Sequence, residues 1–356
     1  MKKFALLGVS HIHTPACCEG IAARSDVEVV AIWDPDPAIA QKYAHQFNCE
    51  AKTEVYAVIN TQDLEAVIVL SETFLHEALV LQITAAKKHC FVEKPLALGL
   101  ADARKIKQAL ATSGVIFQTG YYKRYHPAHR FLKQQIAEGK FGKISRIRVD
   151  FGTTGVYDDI YKGDWLWMTD LEKSGFGAFG DVGTHSLDLL LFLIGDLAEL
   201  AAVTATFTRP LQRYPGCEEC GESILRFKNG TLATMSAGWL DWVEPTSLII
   251  TGTEGHAFIR GTPGMPHQII SNRDIDTGDD LFFFIKGDAK ATGKEPWTDL
   301  PPEMPVPLNL FIDAVIKNQS DHLVSVHEAA YRSYVMEALY QGAAEQRWVT
   351  IDPHAL

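Results

Sequence analysis

The sequence predicts an α/β protein of two domains, in which a doubly wound parallel sheet is followed by an α+β domain with an open, mostly antiparallel sheet. Three observations lead to this prediction. The length of 356 residues suits two domains of ordinary size. The first third alternates short apolar runs with amphipathic stretches, as in parallel sheets covered by helices on both faces. From about residue 143 the pattern changes to longer, alternating strands joined by tight turns.

The composition is that of an ordinary globular protein and limits the classes of partner. Hydrophobic residues make up 47% and charged residues 22% of the chain. The net charge of −11 argues against nucleic-acid binding, because that requires clustered cations. No segment reaches the roughly 20 apolar residues of a membrane span, and six scattered cysteines are typical of reduced thiols. We expect a soluble, cytoplasmic protein with neither a nucleic-acid nor a membrane partner.

Five short apolar runs in the first third are the predicted strands of the parallel sheet. They are Phe4–Leu7, Val27–Trp33, Leu64–Leu70, Cys90–Val92 and Val115–Gln118. The stretches Glu77–Lys88 and Ala101–Ala111 between them have the apolar spacing of helices. This alternation predicts a nucleotide-binding type of domain that ends near residue 122.

Two tight turns mark hairpins in the second part of the chain. An Asn-Gly pair at 229–230 and a Glu-Gly pair at 254–255 each lie between two apolar runs. The predicted strands there are Ile144–Phe151, Ala202–Thr208, Ile224–Lys228, Thr231–Trp239, Leu248–Thr251 and His256–Arg260. Two helices follow, one with an apolar face from Leu308 to Val315 and one that begins at a capping box from Ser325 to Glu328. Residues 273–306, rich in Asp, Gly and Pro, predict a long surface excursion.

The turn after the first strand has the spacing of a dinucleotide-binding loop, with two substitutions. It runs Gly8-Val9-Ser10-His11-Ile12-His13, so that Ser10 stands in the place of the second glycine and His13 in that of the third. The amides of such a turn bind a pyrophosphate at the start of a helix. The partial match is a weak signal without further support.

Asp34, at the end of the second predicted strand, supplies that support. A carboxylate there accepts hydrogen bonds from the adenosine ribose and repels a 2′-phosphate, so NAD is favoured over NADP. The alternative is that Asp34 only opens a turn, since Asp-Pro-Asp is good turn chemistry. Taken with Gly8 and the strand pattern, cofactor binding is the better interpretation.

Two segments carry residues suited to proton transfer. Glu93-Lys94-Pro95 follows a predicted strand, and open α/β sheets bind ligands at the carboxyl ends of their strands. A glycine-rich run that begins at Ser174 leads to a predicted helix with Asp181 and His185, which share one face because they are four positions apart. Histidine exchanges protons near neutral pH. This segment carries too few ligands for a metal site, so no metal is expected.

With these motifs the sequence resembles the glucose–fructose oxidoreductase, inositol dehydrogenase and MocA family (Gfo/Idh/MocA). The most specific pieces are Glu93-Lys94-Pro95 and Asp181-x-Gly183-x-His185-x-x-Asp188. The resemblance implies a Rossmann domain over residues 1–122 and, over residues 123–356, an α/β domain whose large open sheet binds substrate and assembles dimers or tetramers. It also implies NAD(P)-dependent oxidation or reduction at a carbon of a sugar, a polyol or a related compound.

The resemblance also assigns roles to individual residues. Lys94 matches the motif lysine that contacts the reacting hydroxyl, His185 the acid/base histidine and Asp181 its partner carboxylate. The segment 71–76 matches a cofactor loop usually written T-P-N-x-x-H, without its Pro and Asn. The expected cofactor contacts are Gly8, Ser10, His11, Ile12, Asp34, Ser71, Thr73, His76, Glu93 and Lys94. The expected substrate contacts are Lys94, Arg124, Trp165, Asp181 and His185.

Several alternatives stay open at this point. Arg124 is as well explained by a solvated linker, and Trp165 by core packing. Some relatives are glycosidases in which bound NAD oxidises the sugar transiently and then reduces the product, and a few family members bind nucleotide without catalysis. The presence of Lys94, Asp181 and His185 argues against a non-catalytic regulator. Cys217 and Cys220 are expected to be loop thiols.

Overall fold

The computed structural model describes residues 1–195, 199–241, 246–260 and 280–356. Two sheets organise these residues, one with six strands and one with nine. All strand pairs of the first sheet are parallel. In the second sheet one pair is parallel and the others are antiparallel. The predicted α/β class, with a parallel sheet first and a mostly antiparallel sheet second, is confirmed.

The first sheet has the strand order β3-β2-β1-β4-β5-β6. Its strands are β1 (Lys2–Leu7), β2 (Val27–Trp33), β3 (Glu50–Ala51), β4 (Leu64–Val69), β5 (His89–Val92) and β6 (Phe117–Thr119). Five of them are the predicted apolar runs. The sequence analysis missed β3, because a two-residue strand is too short to carry a periodic pattern.

Helices cover both faces of this sheet. They are α1 (Thr14–Ala22), α2 (Pro37–Phe47), α3 (Val55–Ile59), α4 (His76–Ala85) and α5 (Leu100–Ser113). Val67 and Val69 pack with α4 and α5 on one face, whereas Phe4 and Leu6 pack with α1 and α2 on the other. The strand order reverses beside β1, and ligands bind at such a switch point, outside the carboxyl ends of the strands.

The second sheet has the strand order β14-β13-β12-β11-β7-β10-β9-β8-β15. Its strands are β7 (Ile144–Gly152), β8 (Leu200–Thr208), β9 (Cys220–Phe227), β10 (Leu232–Gly238), β11 (Thr246–Gly252), β12 (Gly255–Arg260), β13 (Asp280–Ile285), β14 (Thr292–Pro296) and β15 (Val349–Thr350). Both predicted hairpins are confirmed, since β9 pairs with β10 and β11 with β12.

The surface excursion predicted for residues 273–306 is wrong for residues 280–296, which form β13 and β14. Leu281 and Phe283 are buried under this sheet, while Phe282 stacks on Phe258 of β12 with ring centroids 4.5 Å apart. The turn-forming residues around the short apolar run Leu281–Ile285 concealed its strand character. Residues 273–279 lie outside the described residues.

The remaining helices are α6 (Pro127–Ala137), α7 (Leu171–Ser174), α8 (Ala178–Ile194), α9 (Pro307–Lys317) and α10 (Val326–Glu345). Helix α8 lies against β7 and β10 of the second sheet, and nearly all of its side chains are buried. Within the described residues, one stretch, Leu171–Ile194, is long and apolar enough to span a membrane, but 89% of its apolar window is buried inside the protein. This burial is that of the core helix of a soluble protein.

Both C-terminal helices pack on the first sheet or its helices, and α10 also contacts the second sheet. Helix α9 places Phe311 against Phe4 and Phe91 of the first sheet, with ring centroids 6.1 Å apart in both pairs. Helix α10 begins at the predicted capping box of Ser325 and Glu328 and packs against both α5 and β8. The division of the chain at residue 122 stays a prediction.

A buried ion-pair network joins α8, α10 and a short 3₁₀ helix, Lys123–Tyr125. Asp188 on α8 accepts hydrogen bonds from Arg124 Nε and from Arg332 Nε, each at 3.0 Å. Arg124 also donates to Glu328 Oε1 at 3.0 Å. The side chains of Asp188, Arg124 and Arg332 are 1%, 6% and 4% exposed. Removing one member of such a network leaves another charge buried without compensation.

We therefore predict that Asp188→Asn lowers the free energy of unfolding by about 3–5 kcal/mol, because two buried guanidinium groups lose their shared carboxylate. Urea denaturation followed by circular dichroism measures the change. The matched control is Glu77→Gln, which removes a carboxylate from an ion pair with the exposed Lys105 and should hardly shift the urea midpoint. Equal shifts for the two variants would contradict the stabilising role given to Asp188.

Candidate active site

Lys94 and Asp181 form a salt bridge between the carboxyl end of β5 and the first turn of α8. Lys94 Nζ lies 2.9 Å from Asp181 Oδ1 and also donates to the Asp181 backbone carbonyl at 3.3 Å. Only 3% of the Lys94 side chain and 15% of the Asp181 side chain are exposed. Because Lys94 follows a strand of the first sheet and α8 packs on the second, this pair fixes the two sheets relative to each other.

Two side chains that the sequence analysis did not single out hold the other oxygen of Asp181. Tyr161 OH donates to Asp181 Oδ2 at 3.3 Å and Trp239 Nε1 donates to the same atom at 3.1 Å. Burial alone would raise the pKa of Asp181, but the Lys94 ammonium and these donors hold it below its usual value. Asp181 is therefore an ionised carboxylate, and both of its oxygens accept hydrogen bonds. Tyr161 and Trp239 give no signal in the sequence, since they lie 20 and 58 residues away.

His185 lies one helical turn after Asp181 and is 4% exposed. Its ring is enclosed by Tyr122, Phe151 and Tyr121, with ring centroids 4.8, 5.8 and 6.2 Å away. Its Nδ1 atom is buried without a hydrogen-bond partner. Burial, and then the charge of Lys94, lower the pKa of His185 well below its usual value, so the imidazole is neutral at pH 7 and can accept a proton.

One small pocket contains Lys94, Asp181 and His185. Its volume is about 50 Å³, and its other lining residues are Ile12, His13, Phe151, Thr153, Thr154, Gly155, Asp158, Ile160, Tyr161 and Val182. An ammonium group and a neutral imidazole that share a buried pocket are the elements of general acid–base chemistry on a hydroxyl or carbonyl group. The sequence analysis predicted this convergence from two distant segments.

The predicted dinucleotide turn has the close approach that such a turn requires. Gly8 has φ +75°, and a Cβ atom at this position would lie 2.2 Å from Ser71 Cβ. The hydroxyl groups of Ser10 and Thr14, at the turn and at the start of α1, are buried without a hydrogen-bond partner. Unpaired buried donors at a helix N-terminus suit the oxygens of a phosphate group. The residues present therefore fit a phosphate-bearing cofactor.

Asp34 lies beside this turn. Its Oδ2 accepts a hydrogen bond from the Val9 amide at 2.7 Å and its Oδ1 accepts one from the Asp36 amide at 2.9 Å. Burial raises the pKa of Asp34 to about 6, although these two amides oppose the shift. The carboxylate is thus held rigidly at the position where an adenosine ribose is expected.

Trp167, on the 3₁₀ helix Gly163–Thr169, covers the turn from the second sheet's side. Its Nε1 donates to the Ser10 carbonyl at 2.9 Å, and its ring centroid lies 5.9 Å from that of His11. Trp165 instead packs, partly buried, against the large core cluster of the second sheet. The structure therefore favours core packing for Trp165 over the predicted contact with substrate.

Two residues of the expected cofactor loop at 71–76 have different surroundings in the structure. Thr73 lines a very small cavity together with His11 and Lys94. His76 uses Nδ1 to donate to the carbonyl groups of Pro95 and Leu96 at 3.1 and 3.3 Å. His76 is buried and supports the backbone around Lys94, while its Nε2 has no hydrogen-bond partner. Its expected contact with the cofactor stays a prediction.

Arg124 is also placed differently from the expectation. Its guanidinium is bound by Asp188 and Glu328, and it does not belong to the lining of the pocket that contains Lys94 and His185. The expected contact between Arg124 and substrate is therefore withdrawn. Its neighbour Lys123 lies closer to the pocket, with Nζ 3.9 Å from the centroid of the Phe151 ring.

His11, His13 and Glu93 meet beside the pocket, with one potential metal ligand atom from each within 4.8 Å of the others. His11 Nδ1 already accepts a hydrogen bond from the His13 amide at 3.1 Å. Glu93 Oε1 lies 3.3 Å from His13 Nδ1. The nearby Lys94 ammonium and the N-terminus of α1 both disfavour a cation. We assign no metal ion to this cluster.

Comparisons with known proteins agree with this geometry. Residues 2–121 match the model of an oxidoreductase family with an NAD-binding Rossmann fold, and residues 129–258 match the model of the GFO/IDH/MocA C-terminal domain. The solved structure of aldose-aldose oxidoreductase from Caulobacter crescentus complexed with glycerol has a TM-score of 0.78 and 20% identity, and the match covers 98% of this chain and 99% of that one.

Three curated relatives are similar over much of the chain. The 1,5-anhydro-D-fructose reductase of Ensifer adhaerens is 28% identical over 72% of this chain and 74% of its own length. The scyllo-inositol 2-dehydrogenase (NAD(+)) of Bacillus subtilis (strain 168) is 24% identical over 75% of both chains. The 2,7-anhydro-N-acetylneuraminate hydratase of Escherichia coli (strain K12) is 26% identical over 65% of this chain and 60% of its own length.

The two family models together cover the glycine turn, Lys94, Asp181 and His185. The expected cofactor, NAD, and the expected class of enzyme are thereby confirmed. The chain belongs to the Gfo/Idh/MocA family and is an NAD-dependent oxidoreductase.

Proposed function

We propose that the protein interconverts a secondary alcohol and a ketone on a sugar, a polyol or a related carbohydrate. The observation that carries this proposal is the shared pocket of Lys94 and His185, since the two groups are held by different sheets and yet line one cavity. The names of the curated relatives, which include an inositol dehydrogenase and an anhydrosugar reductase, support the substrate class. When bound, NAD supplies a hydride acceptor.

Lys94 acts as the donor that polarises the substrate oxygen. An ammonium group has three N–H donors, and two of those of Lys94 are directed at Asp181. The third can donate to the hydroxyl or carbonyl oxygen of the substrate, where it stabilises developing negative charge. Asp181 positions the ammonium group, because Lys94 Nζ donates both to its side chain and to its backbone carbonyl.

His185 acts as the base in oxidation and as the acid in reduction. Its lowered pKa keeps the ring neutral at pH 7, so it can accept the hydroxyl proton of the substrate. Its burial excludes bulk water from the reacting group. Thr153, Thr154 and Asp158 line the same pocket, where they would lie beside neighbouring hydroxyl groups of a bound substrate.

The cofactor is held by the residues around the glycine turn. The Ser10 and Ile12 amides, with the hydroxyls of Ser10 and Thr14, would bind the pyrophosphate, and Asp34 would accept from the adenosine ribose. Ser71, which follows β4, packs directly against Gly8. Thr73 lines a cavity with His11 of the turn and with Lys94. With the pyrophosphate held there, Lys94, Glu93 and His185 would be the residues beside the nicotinamide, which would supply the hydride acceptor.

A second candidate function is a reaction without net oxidation, in which NAD is reduced and then reoxidised within one turnover. It is favoured by the relative named a 2,7-anhydro-N-acetylneuraminate hydratase, a name that denotes addition of water. A glycosidase that works by transient oxidation and elimination belongs to the same class. Such an enzyme cleaves or hydrates its substrate without accumulation of NADH and retains its cofactor on gel filtration.

A screen of inositols, aldoses, sugar acids, anhydrosugars and glycosides with NAD and with NADP separates these candidates. A net oxidoreductase forms NADH with at least one alcohol or consumes it with the matching ketone. The second candidate converts an anhydrosugar or a glycoside with no net change in NADH. A protein that is silent toward the whole panel in both directions would contradict the proposed function.

We also propose that the protein is cytoplasmic and assembles as a homodimer or homotetramer through the second sheet. All six cysteines are free thiols. On the sheet face opposite α8, Ile224, Leu232 and Phe284 are 42%, 45% and 42% exposed, although such side chains are usually covered.

We predict that Leu232→Glu shifts the mass measured by light scattering toward the monomer, while the exposed Lys140→Met leaves it unchanged. A monomeric wild-type protein would contradict this assembly.

We predict that Lys94→Met and His185→Gln each lower kcat by about 10²–10⁴-fold, because each removes a group that donates or accepts at the reacting oxygen. NAD affinity, measured by quenching of tryptophan fluorescence, should stay close to that of the wild type. The matched controls are Lys140→Met and His45→Gln, which change exposed residues of the same types. Near-normal turnover in either active-site variant would show that its role is assigned wrongly.

NAD affinity should decrease as the pH falls below about 6. The pKa of Asp34 is raised to about 6 by burial, so the carboxylate that accepts from the ribose becomes protonated below that pH. If only the ionised form binds, Kd rises by about tenfold for each pH unit below the pKa. Asp34→Asn should bind NAD more weakly at pH 7 and lose this pH dependence. An equally steep loss in Asp34→Asn would assign the effect to another group.

A further inference from the structure

His13 lies between the catalytic pocket and a second, larger cavity. The second cavity has a volume of about 560 Å³ and is bounded by α1, by the ends of β5 and β6 at Glu93 and Gly120, and by residues 303–309. Among the described residues, His13 is the one that lines both cavities. Val306 at the rim of the larger cavity is 37% exposed, so this cavity opens to solvent.

The proposed reaction releases a proton inside the catalytic pocket. Oxidation of a secondary alcohol releases one hydride to NAD and one proton from the hydroxyl group, and His185 is placed to receive the proton. His185 is only 4% exposed. Its depressed pKa means that the imidazolium form is a transient carrier, not a stable product. The pocket of about 50 Å³ is large enough to hold a water molecule, but not bulk solvent.

His13 is held for proton transfer by Glu93. The His13 Nδ1 and Glu93 Oε1 atoms are 3.3 Å apart. Glu93 is fixed in turn, because its Oε2 accepts from the Lys94 amide at 3.0 Å and a Cβ atom on Gly120 would lie 2.5 Å from the same oxygen. Burial alone would raise the pKa of Glu93, but His13 lowers it well below its usual range. The carboxylate is therefore ionised and fixes the orientation of the His13 ring through Nδ1.

We propose, on the basis of the function proposed above, that His13 and Glu93 carry the substrate proton between His185 and the solvent of the larger cavity. In oxidation the C–H bond gives its electron pair and hydrogen to NAD, and the O–H proton passes to His185. It then passes through water in the catalytic pocket to His13, and from His13 to solvent. In reduction the same path runs inward. The sum is one hydride and one proton per turnover, with no other reactant.

Charged and titratable groups face this path on both sides of His13. His11 packs against His13 with ring centroids 4.7 Å apart. Lys94 and Lys123 are cationic and both lower the pKa of His185. The catalytic pocket also contains Asp181 and Asp158, and the larger cavity contains Arg24 and Glu303 beside Glu93, so charges of both signs lie at each end of the path.

The test is His13→Gln, which keeps a polar side chain of similar size and removes the titratable ring. On the substrate that wild type turns over best in the panel, we expect kcat to fall by about 10²-fold in a weakly buffered solution. Added imidazole should restore the rate in proportion to its concentration, because it can enter the larger cavity and replace the missing base. KM and NAD affinity should change little. His45→Gln, an exposed histidine on α2, is the control and should show neither effect.

A loss of turnover in His13→Gln that imidazole does not restore would overturn the proposal, because a purely structural role produces that result. Turnover equal to that of wild type would overturn it as well. His13→Asn, which is smaller and cannot crowd the site, repeats the test if the glutamine variant does not fold. A wild type that turns over no compound of the panel refutes the proposed function and the relay together, whereas an active wild type with an unaffected variant refutes the relay alone.

Discussion

The salt bridge between Lys94 and Asp181 is the interaction on which the rest of the site depends. It connects a strand end of the first sheet to the first turn of a helix that belongs to the second. Its members are buried, so each would be costly to leave without the other. Asp181 is itself fixed by Tyr161 and Trp239. The position of the Lys94 ammonium is therefore set by both sheets. The pocket that it shares with His185 depends on how the two sheets are positioned relative to each other.

Burial then determines the chemistry of each group. The same removal from water that lowers the pKa of His185 raises that of Asp34. His185 is therefore a neutral base in the pocket. Asp34 is a carboxylate at the cofactor turn that is protonated more easily than usual. Because Lys94 pairs with Asp181 and Glu93 contacts His13, the site holds several polar groups with little exposure. A buried reaction that releases a proton needs a way out for it, and the position of His13 between two cavities supplies one.

The sequence was sufficient for the architecture and for the placement of Asp181 and His185 on one helix face, because those features are local. The meeting of Lys94 with His185 was expected from the resemblance to the family, not from a local pattern. The apolar runs, the two hairpin turns and the four-residue spacing of Asp181 and His185 are contained in short segments. Features that depend on a partner distant in the chain could not be predicted. Arg124 was expected at the substrate, but Asp188 and Glu328 lie 64 and 204 residues away and bind it in the core. His76, which supports the backbone after Lys94, and the pair of His13 and Glu93 were hidden for the same reason.

The account requires that Lys94 and His185 reach the same substrate atom. The most direct measurement is a crystal structure of the wild-type protein with NADH and the alcohol substrate, a combination that cannot react. The account predicts that Lys94 Nζ and a ring nitrogen of His185 both lie within about 3.2 Å of one substrate oxygen, on the carbon that faces the nicotinamide. A structure in which the two nitrogens contact different substrate atoms, or in which His185 is separated from the substrate, would contradict it.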